Sequence, residues 1–148
     1  MTIGTRLVAG LLGAMAAATL AVAQDEAFPP APENLRAAEA TGLSRLGVEA
    51  LKQAFLGPRV ERTPRGEFVT VDYGADGRIE QRMGGSVFDT GTFSITGMAG
   101  GSVCLLLIKQ MNQRLCGVWF AAPDGRHLFG YNPTDGKPRG VSRAADAR

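Results

Sequence analysis

The residue types that most often carry out catalysis are scarce in this sequence. His127 is the only histidine among the 148 residues, and no Gly-x-Ser-x-Gly motif is present. A serine or cysteine nucleophile needs an adjacent base, usually a histidine. His127 instead falls inside a short predicted strand, between Arg126 and Leu128. We therefore expect no nucleophilic triad, and the single histidine also excludes a multi-histidine metal site.

Four acidic residues, Asp72, Asp76, Glu80 and Asp89, are the candidates for a catalytic carboxylate pair. Two carboxylates can share acid and base roles only when both lie in one site. With Asp76-Gly77 at the centre of a type I′ hairpin, Glu80 is expected opposite Tyr73 and not opposite Asp72. The spacing therefore predicts no acid pair.

Two patterns imitate binding loops. The spacing Asp72-x-x-x-Asp76-Gly77 resembles part of an EF-hand loop, but Gly74 and Met83 stand where ligands are required. The glycine-rich segment 97–101 lies between predicted strands, so no helix N-terminus is available to hold a phosphate. We predict no metal site and no cofactor.

The charge of the chain is nearly balanced. Lys and Arg number 16 against 14 for Asp and Glu, a net charge of +2, which gives no sign of nucleic-acid binding. Arg59, Arg62 and Arg65 form a loose basic cluster beside two glutamates. The cluster is interpreted as a solvated loop, with contact to an anionic surface as the alternative.

The two cysteines predict a disulfide. Cys104 and Cys116 occupy equivalent places on the most apolar predicted hairpin, and facing pairs there would set Leu106 opposite Arg114. A bond between them closes a loop of about 13 residues, and chain entropy assigns it about 3 kcal/mol. A redox-active dithiol is the alternative, but no Cys-x-x-Cys spacing supports it.

That hairpin is apolar on both faces, so both faces need a cover. One face carries Val103, Leu105, Leu107, Leu115 and Trp119, and the other Cys104, Leu106, Ile108, Cys116, Val118 and Phe120. We expect a curved sheet or small barrel to enclose one face, and a helix over 44–56 or a partner to cover the other. The fold class is mainly β: a small antiparallel meander or barrel-like sheet of six to seven strands with an N-terminal helix packed on it.

Four segments are predicted along the chain. Residues 1–23 read as a signal peptide with an apolar run over 7–20, and small residues before the junction place cleavage between Ala23 and Gln24. Residues 24–43 read as a Pro-rich linker, expected to be mobile, with a short helix. A single β-rich domain is expected over 44–133, and a flexible C-terminal tail over 134–148. The mature protein is expected to be periplasmic or secreted, without a membrane anchor.

The order of several short motifs resembles a known group. These are Phe55-Leu56-Gly57, then Tyr73-Gly-Ala-Asp-Gly-Arg78, Asp89-Thr-Gly-Thr-Phe93, Cys104 with Cys116, and Asp124-Gly-Arg126. Over residues 43–136 this order is similar to small exported proteobacterial proteins grouped as domains of unknown function, although Phe93 stands where the group usually has tryptophan. The resemblance implies a small β-rich fold and transfers no catalytic residue.

These observations favour a binding role over catalysis. We expect an exported, non-enzymatic β-domain that binds an envelope protein or a small apolar ligand. The alternative is an inhibitor or accessory subunit of an envelope enzyme that uses exposed loops such as 57–66 and 109–113. A hydrolase is the third class, and it lacks a recognisable catalytic set.

Overall fold

Short β-strands are the main regular structure of the described residues. The computed structural model describes residues 27–146. Within that range eight antiparallel strands follow one another in sequence order, and the last pairs with the first to close a barrel. The strands are β1 (Gly57–Arg62), β2 (Phe68–Tyr73), β3 (Arg78–Met83), β4 (Ser86–Thr96), β5 (Ser102–Leu107), β6 (Arg114–Ala121), β7 (His127–Tyr131) and β8 (Pro138–Ala144).

This architecture confirms the predicted fold class and raises the strand count to eight. The added strand, β8, lies within the segment 134–148 that was expected to be a flexible tail, so that expectation is wrong for 138–144. β8 pairs with both β7 and β1, and its Val141 and Ser142 are buried. Pro138 and Gly140 suggest a break in the strand, but the local register shift in the β7–β8 pairing accommodates them.

Two α-helices lie within the described residues, and both are short. They are α1 (Leu35–Ala40) and α2 (Val48–Ala54), and α2 replaces the longer helix expected over 44–56. Residues 44–46, where the longer helix was expected to begin, are extended because they pair with the end of β6. Leu46 N donates to Trp119 O at 2.9 Å. That stretch of β6 continues past the end of its pairing with β5, so it offers free backbone groups that must be satisfied.

Helix α2 closes one end of the barrel. Leu51 and Phe55 belong to the same buried cluster as Val71, Tyr73 and Trp119, whose side chains point inward. The turns 74–77 and 122–126 and the loop 97–101 lie at this closed end. The opposite end carries the turns 63–67 and 84–85 and the connections 108–113 and 132–137. Within the described residues, α2 packs in the inner cluster at the other end and α1 packs in the outer cluster.

The N-terminal segment covers part of the outer face. Phe28 and Ala38 pack with Val118, Phe120 and other outward residues of β6 to β8 in a second buried cluster. Tyr131 Oη donates to Pro32 O at 2.9 Å. The linker expected to be mobile is therefore packed from about residue 28 onward. On the second face of the hairpin this segment covers Val118 and Phe120, whereas Leu106 and Ile108 stay exposed. Helix α2 packs on the inner face.

Candidate ligand-binding site

A cavity of about 140 Å³ lies inside the barrel. The part of its wall that comes from β5 and β6 is apolar, and polar groups from β1, β2, β3, β8 and two connections form the rest. The lining includes Glu61, Thr63, Tyr73, Gln81, Val103, Leu105, Leu107, Gln110, Leu115, Gly117, Trp119 and Arg139. Glu61, Thr63, Gln81 and Gln110 also line a depression of about 580 Å³ at the end opposite α2. The cavity therefore adjoins the open end of the barrel.

Aromatic rings form the base of the interior. Phe55, at the end of α2, packs at 5.1 Å from Tyr73 and 5.0 Å from Trp119 between ring centroids, and Tyr73 packs edge-on against Phe93 at 5.1 Å. Such tilted and edge-to-face contacts are the preferred arrangements of aromatic pairs. They close the end of the barrel that α2 covers.

Trp119 lies flat against the inner wall because two glycines make room for it. A Cβ at Gly130, its cross-strand partner, would come within 2.7 Å of the six-membered ring of the indole. A Cβ at Gly117 would come within 3.1 Å of Nε1. Nε1 is buried and has no hydrogen-bond partner among the described residues. A buried tryptophan N–H usually finds an acceptor, so this donor is the unusual feature of the wall.

A chain of polar groups crosses the interior next to the aromatic base. Arg59 Nε donates to Ser142 Oγ at 2.7 Å, and Ser142 Oγ donates to Glu61 Oε1 at 3.3 Å. Tyr73 Oη donates to the same Glu61 oxygen at 2.8 Å, and Arg59 Nη1 donates to Ala54 O at 2.6 Å. The chain joins β8, β1, β2 and the end of α2.

Burial dominates the electrostatics of this polar chain. It raises the pKa of Glu61 and lowers the pKa of Arg59. It also raises the pKa of Tyr73 well above its ordinary value, and the neighbouring Glu61 carboxylate adds to that rise. Because each of these groups is hydrogen-bonded to another part of the protein, we interpret the network as stabilising the barrel.

Arg139 reaches the cavity from the irregular start of β8. Its Nε donates to Cys116 O at 3.2 Å, and burial lowers its pKa while nearby Asp135 opposes that shift. A Cβ at Gly117 would lie 3.7 Å from Arg139 Cγ. The arginine side chain and the indole N–H therefore flank the same glycine.

His127 is placed outside the barrel interior. Its Nδ1 lies 2.6 Å from Asp124 Oδ2, and its ring packs edge-on against Phe28 at 4.9 Å between centroids. Asp124 Oδ1 also accepts from the backbone N–H groups of His127 and Arg126, which lower the pKa of Asp124 to about 2. The pair therefore caps a turn and supports the N-terminal segment.

The expected register of the acidic residues is wrong by one position. Asp72 pairs with Glu80, and Tyr73 pairs with Ile79. Only Gly77 has positive φ in the Asp76-Gly77 turn, at +81°, so the turn is not type I′. Asp72 and Glu80 lie on the outer face of the sheet, and Asp89 is buried with Oδ1 accepting from Thr90 N and Lys109 N. The prediction that Asp72 and Glu80 do not face each other is therefore wrong, because the two residues are cross-strand partners and line one outer depression of about 730 Å³.

The cysteines are joined in the structure as the hairpin register predicts. Cys104 pairs with Cys116, Leu106 pairs with Arg114, and a disulfide links the two sulfur atoms. The predicted cleavage point, Ala23 and Gln24, lies outside the described residues. No group of three or more His, Cys, Asp or Glu side chains in the described range could hold a metal ion.

Comparison with known proteins identifies no similar protein. No protein-family model, curated protein or solved structure matches the chain. The resemblance to a group of exported proteobacterial proteins therefore stays a prediction. In residues 27–146, no helix has the length and apolar character needed to cross a membrane.

Sequence reasoning placed Trp119 on the correct face but missed its polar neighbours. In the sequence, Glu61 lies within the predicted solvated basic cluster, and Arg139 lies within the predicted flexible tail. The pattern Gly117-x-Trp119 with a second glycine, Gly130, on the next strand was the available signal. Glycine inside a strand often marks the close approach of another group.

Proposed function

We propose that this protein is a non-enzymatic binding protein of the cell envelope whose barrel takes up one small, largely apolar ligand. The observation that carries the proposal is the cavity beside Trp119, which adjoins the end of the barrel that α2 leaves open. An eight-stranded barrel is either filled by its own side chains or wide enough to hold one small ligand.

The size of the cavity sets the scale of the ligand. A volume of about 140 Å³ is close to the roughly 150 Å³ that holds a benzene molecule in an apolar protein cavity. The adjoining depression gives room for a further substituent. An apolar wall with a few convergent polar groups is the usual composition of a small-molecule site.

The disulfide supports the cellular location that the proposal assumes. A Cys104–Cys116 bond is consistent with an oxidising compartment such as the bacterial periplasm or the extracellular space. Export itself rests on the predicted signal peptide.

Titration with a neutral probe, benzyl alcohol, tests the proposal. Trp119 is the only tryptophan in the chain, so its emission reports on the cavity directly. Leu105→Phe fills the cavity, whereas Leu106→Phe makes the same change on the outer face one residue away, where the side chain is 40% exposed. Circular dichroism establishes that both variants are folded, and Leu115→Phe provides a second cavity-filling variant.

We expect saturable binding to the wild type and to Leu106→Phe, and loss of binding in the cavity-filling variants. Absence of saturable binding to the wild type would overturn the proposal. Equal binding to Leu105→Phe and Leu106→Phe would also overturn it, since the probe would then lie elsewhere.

A second function is favoured by one surface feature. Ile108 and Met111, in the connection between β5 and β6, are 63% and 82% exposed. Exposed apolar side chains on a loop are typical of a protein-binding surface. They support the alternative of an inhibitor or accessory subunit of an envelope enzyme. Inhibition assays against cell-wall hydrolases and proteases, with Met111→Ser as the loop variant, test it; inhibition that the variant retains would exclude this loop.

A further inference from the structure

Two residues of the cavity wall, Trp119 and Arg139, have hydrogen-bond donors that no acceptor in the described residues uses. Trp119 Nε1 is a buried donor without an acceptor among residues 27–146. The Nε of Arg139 is bonded to a backbone carbonyl, and its two Nη groups make no further hydrogen bond or ion pair within the described part of the chain. Both residues line the cavity. A ligand that brings an acceptor would satisfy them together.

The side chains of Trp119 and Arg139 both approach Gly117. A Cβ at this position would lie 3.1 Å from Trp119 Nε1 and 3.7 Å from Arg139 Cγ. The arginine approaches the position from β8 and the indole lies along β6. Both therefore border the space above Gly117, which itself lines the cavity.

Glu61, the carboxylate that lines the cavity, already accepts hydrogen bonds through one of its oxygens. Glu61 Oε1 accepts from both Tyr73 and Ser142, and the charge of Arg59 acts on it. Asp135 is the carboxylate whose charge acts on the pKa of Arg139. Asp135 is itself in an exposed ion pair, with its Oδ2 3.7 Å from Lys137 Nζ. The arginine at the cavity wall is therefore without a carboxylate partner of its own inside the barrel.

We propose that the ligand of this cavity is a small apolar molecule bearing a carboxylate, which accepts hydrogen bonds from Trp119 Nε1 and the Arg139 guanidinium. The inference rests on the proposed binding function and names the ligand class for that site. Arginine suits the role because its planar fork of donors matches a carboxylate, and hydrogen bonds to a charged acceptor are about twice as strong as neutral ones.

Three probes with one benzene ring and different charge test the ligand class: benzoate, benzyl alcohol and benzylammonium. Calorimetry and Trp119 emission measure their affinities for the full mature protein. We expect benzoate to bind at least about tenfold more tightly than benzyl alcohol, a difference of about 1.4 kcal/mol. Benzylammonium is expected to bind most weakly.

The two donors are tested separately. Arg139→Gln is expected to lower benzoate affinity by about tenfold, and to lower benzyl alcohol affinity by less because that probe carries no charge. Arg36→Gln removes one positive charge from the exposed surface of α1 and is expected to change neither. The chain has one indole N–H resonance, that of Trp119, and benzoate is expected to shift it downfield by more than benzyl alcohol does.

The possible results distinguish failure of the carboxylate inference from failure of the proposed binding function. Equal affinity for benzoate and benzyl alcohol, or tightest binding of benzylammonium, would overturn the carboxylate inference and leave a cavity that binds small molecules. Benzoate affinity that survives Arg139→Gln would likewise overturn it. If none of the three probes binds, the proposed function itself fails.

Discussion

Replacement of Gly130 by alanine tests how the wall of the cavity is built. The indole of Trp119 lies directly over this residue, its cross-strand partner. An added Cβ would come within 2.7 Å of Cη2 and Cζ3 and within 2.9 Å of Cε3. Carbon atoms in favourable contact are about 3.5–4.0 Å apart. The ring must therefore move by about 1 Å, away from the wall and into the interior.

Two opposing effects set the expected loss of stability. Overpacking of a well-packed interior destabilises by about 1–3 kcal/mol. Replacing glycine by alanine lowers the conformational entropy of the unfolded chain, which stabilises the folded protein by about 0.4–1 kcal/mol. The backbone of Gly130 does not have the positive φ that would add strain. We therefore expect Gly130→Ala to lower the free energy of unfolding by about 1–2 kcal/mol.

Urea denaturation followed by circular dichroism measures this loss. Gly97→Ala is the matched control, because its Cβ would meet nothing within 4 Å and its φ is −77°. We expect the control to change the free energy of unfolding by less than about 0.5 kcal/mol. The cost of Gly130→Ala should disappear in a Trp119→Leu background, where the ring is absent.

Two results would refute the reasoning. Equal stability of Gly130→Ala and Gly97→Ala would show that the indole does not rest on this wall. A cost that persists in the Trp119→Leu background would assign the effect to the strand and not to the ring. A shift of Trp119 emission in Gly130→Ala provides an independent readout, since displacement changes the surroundings of the indole.

Three further predictions concern the parts of the fold outside the cavity. Replacing both Cys104 and Cys116 by alanine should lower the free energy of unfolding by about 3 kcal/mol in urea denaturation, because the bond closes a loop with a sequence separation of 12. Asp124→Asn should lose less stability than the wild type as the pH falls from about 4 to about 2. The pKa of Asp124 is lowered to about 2 in the folded protein, so its carboxylate stabilises the fold above the unfolded pKa and loses that effect as the pH falls through the folded pKa. Parallel pH profiles of stability for the two proteins would contradict this. Phe28→Ala should destabilise by about 3 kcal/mol in thermal melts, because the ring is buried between His127 and its other neighbours on the outer face; an unchanged melting temperature would show that the N-terminal segment does not contribute to the fold.

Much of the strand pattern could be read from local sequence. Local sequence signals, alternation and Asp-Gly turns, predict strands over 78–83, 114–121 and 127–131. These ranges coincide with β3, β6 and β7. The pairing of Cys104 with Cys116 follows from one hairpin. β8 could not be recognised in the same way, since Pro138 and Gly140 are typical of loops. The positive φ of Gly140, at +144°, and its close approach to Arg62 O are set by barrel closure.

The cavity required long-range information that one sequence does not carry. Glu61 pairs with Ser142 across the seam where β1 meets β8, two residues 81 positions apart. Arg139 reaches Gly117 only because β8 is part of the barrel. Local alternation could assign each side chain to a face, and it correctly grouped Trp119 with Leu105. It could not show which faces meet when the sheet closes.

The two ends of the barrel have different roles, and this difference bears on how a ligand would lie. At the closed end, Phe55 packs in the interior, and Arg59 of β1 donates a hydrogen bond to Ala54 O at the end of α2. A ligand must therefore approach from the opposite end. A charged group is costly to remove from water unless it is paired, and half-buried Arg139 offers that pairing beside Gly117. Apolar side chains such as Leu105 line the rest of the cavity. The arrangement accordingly favours a ligand whose anionic group stays at the arginine while its apolar body takes the remaining space.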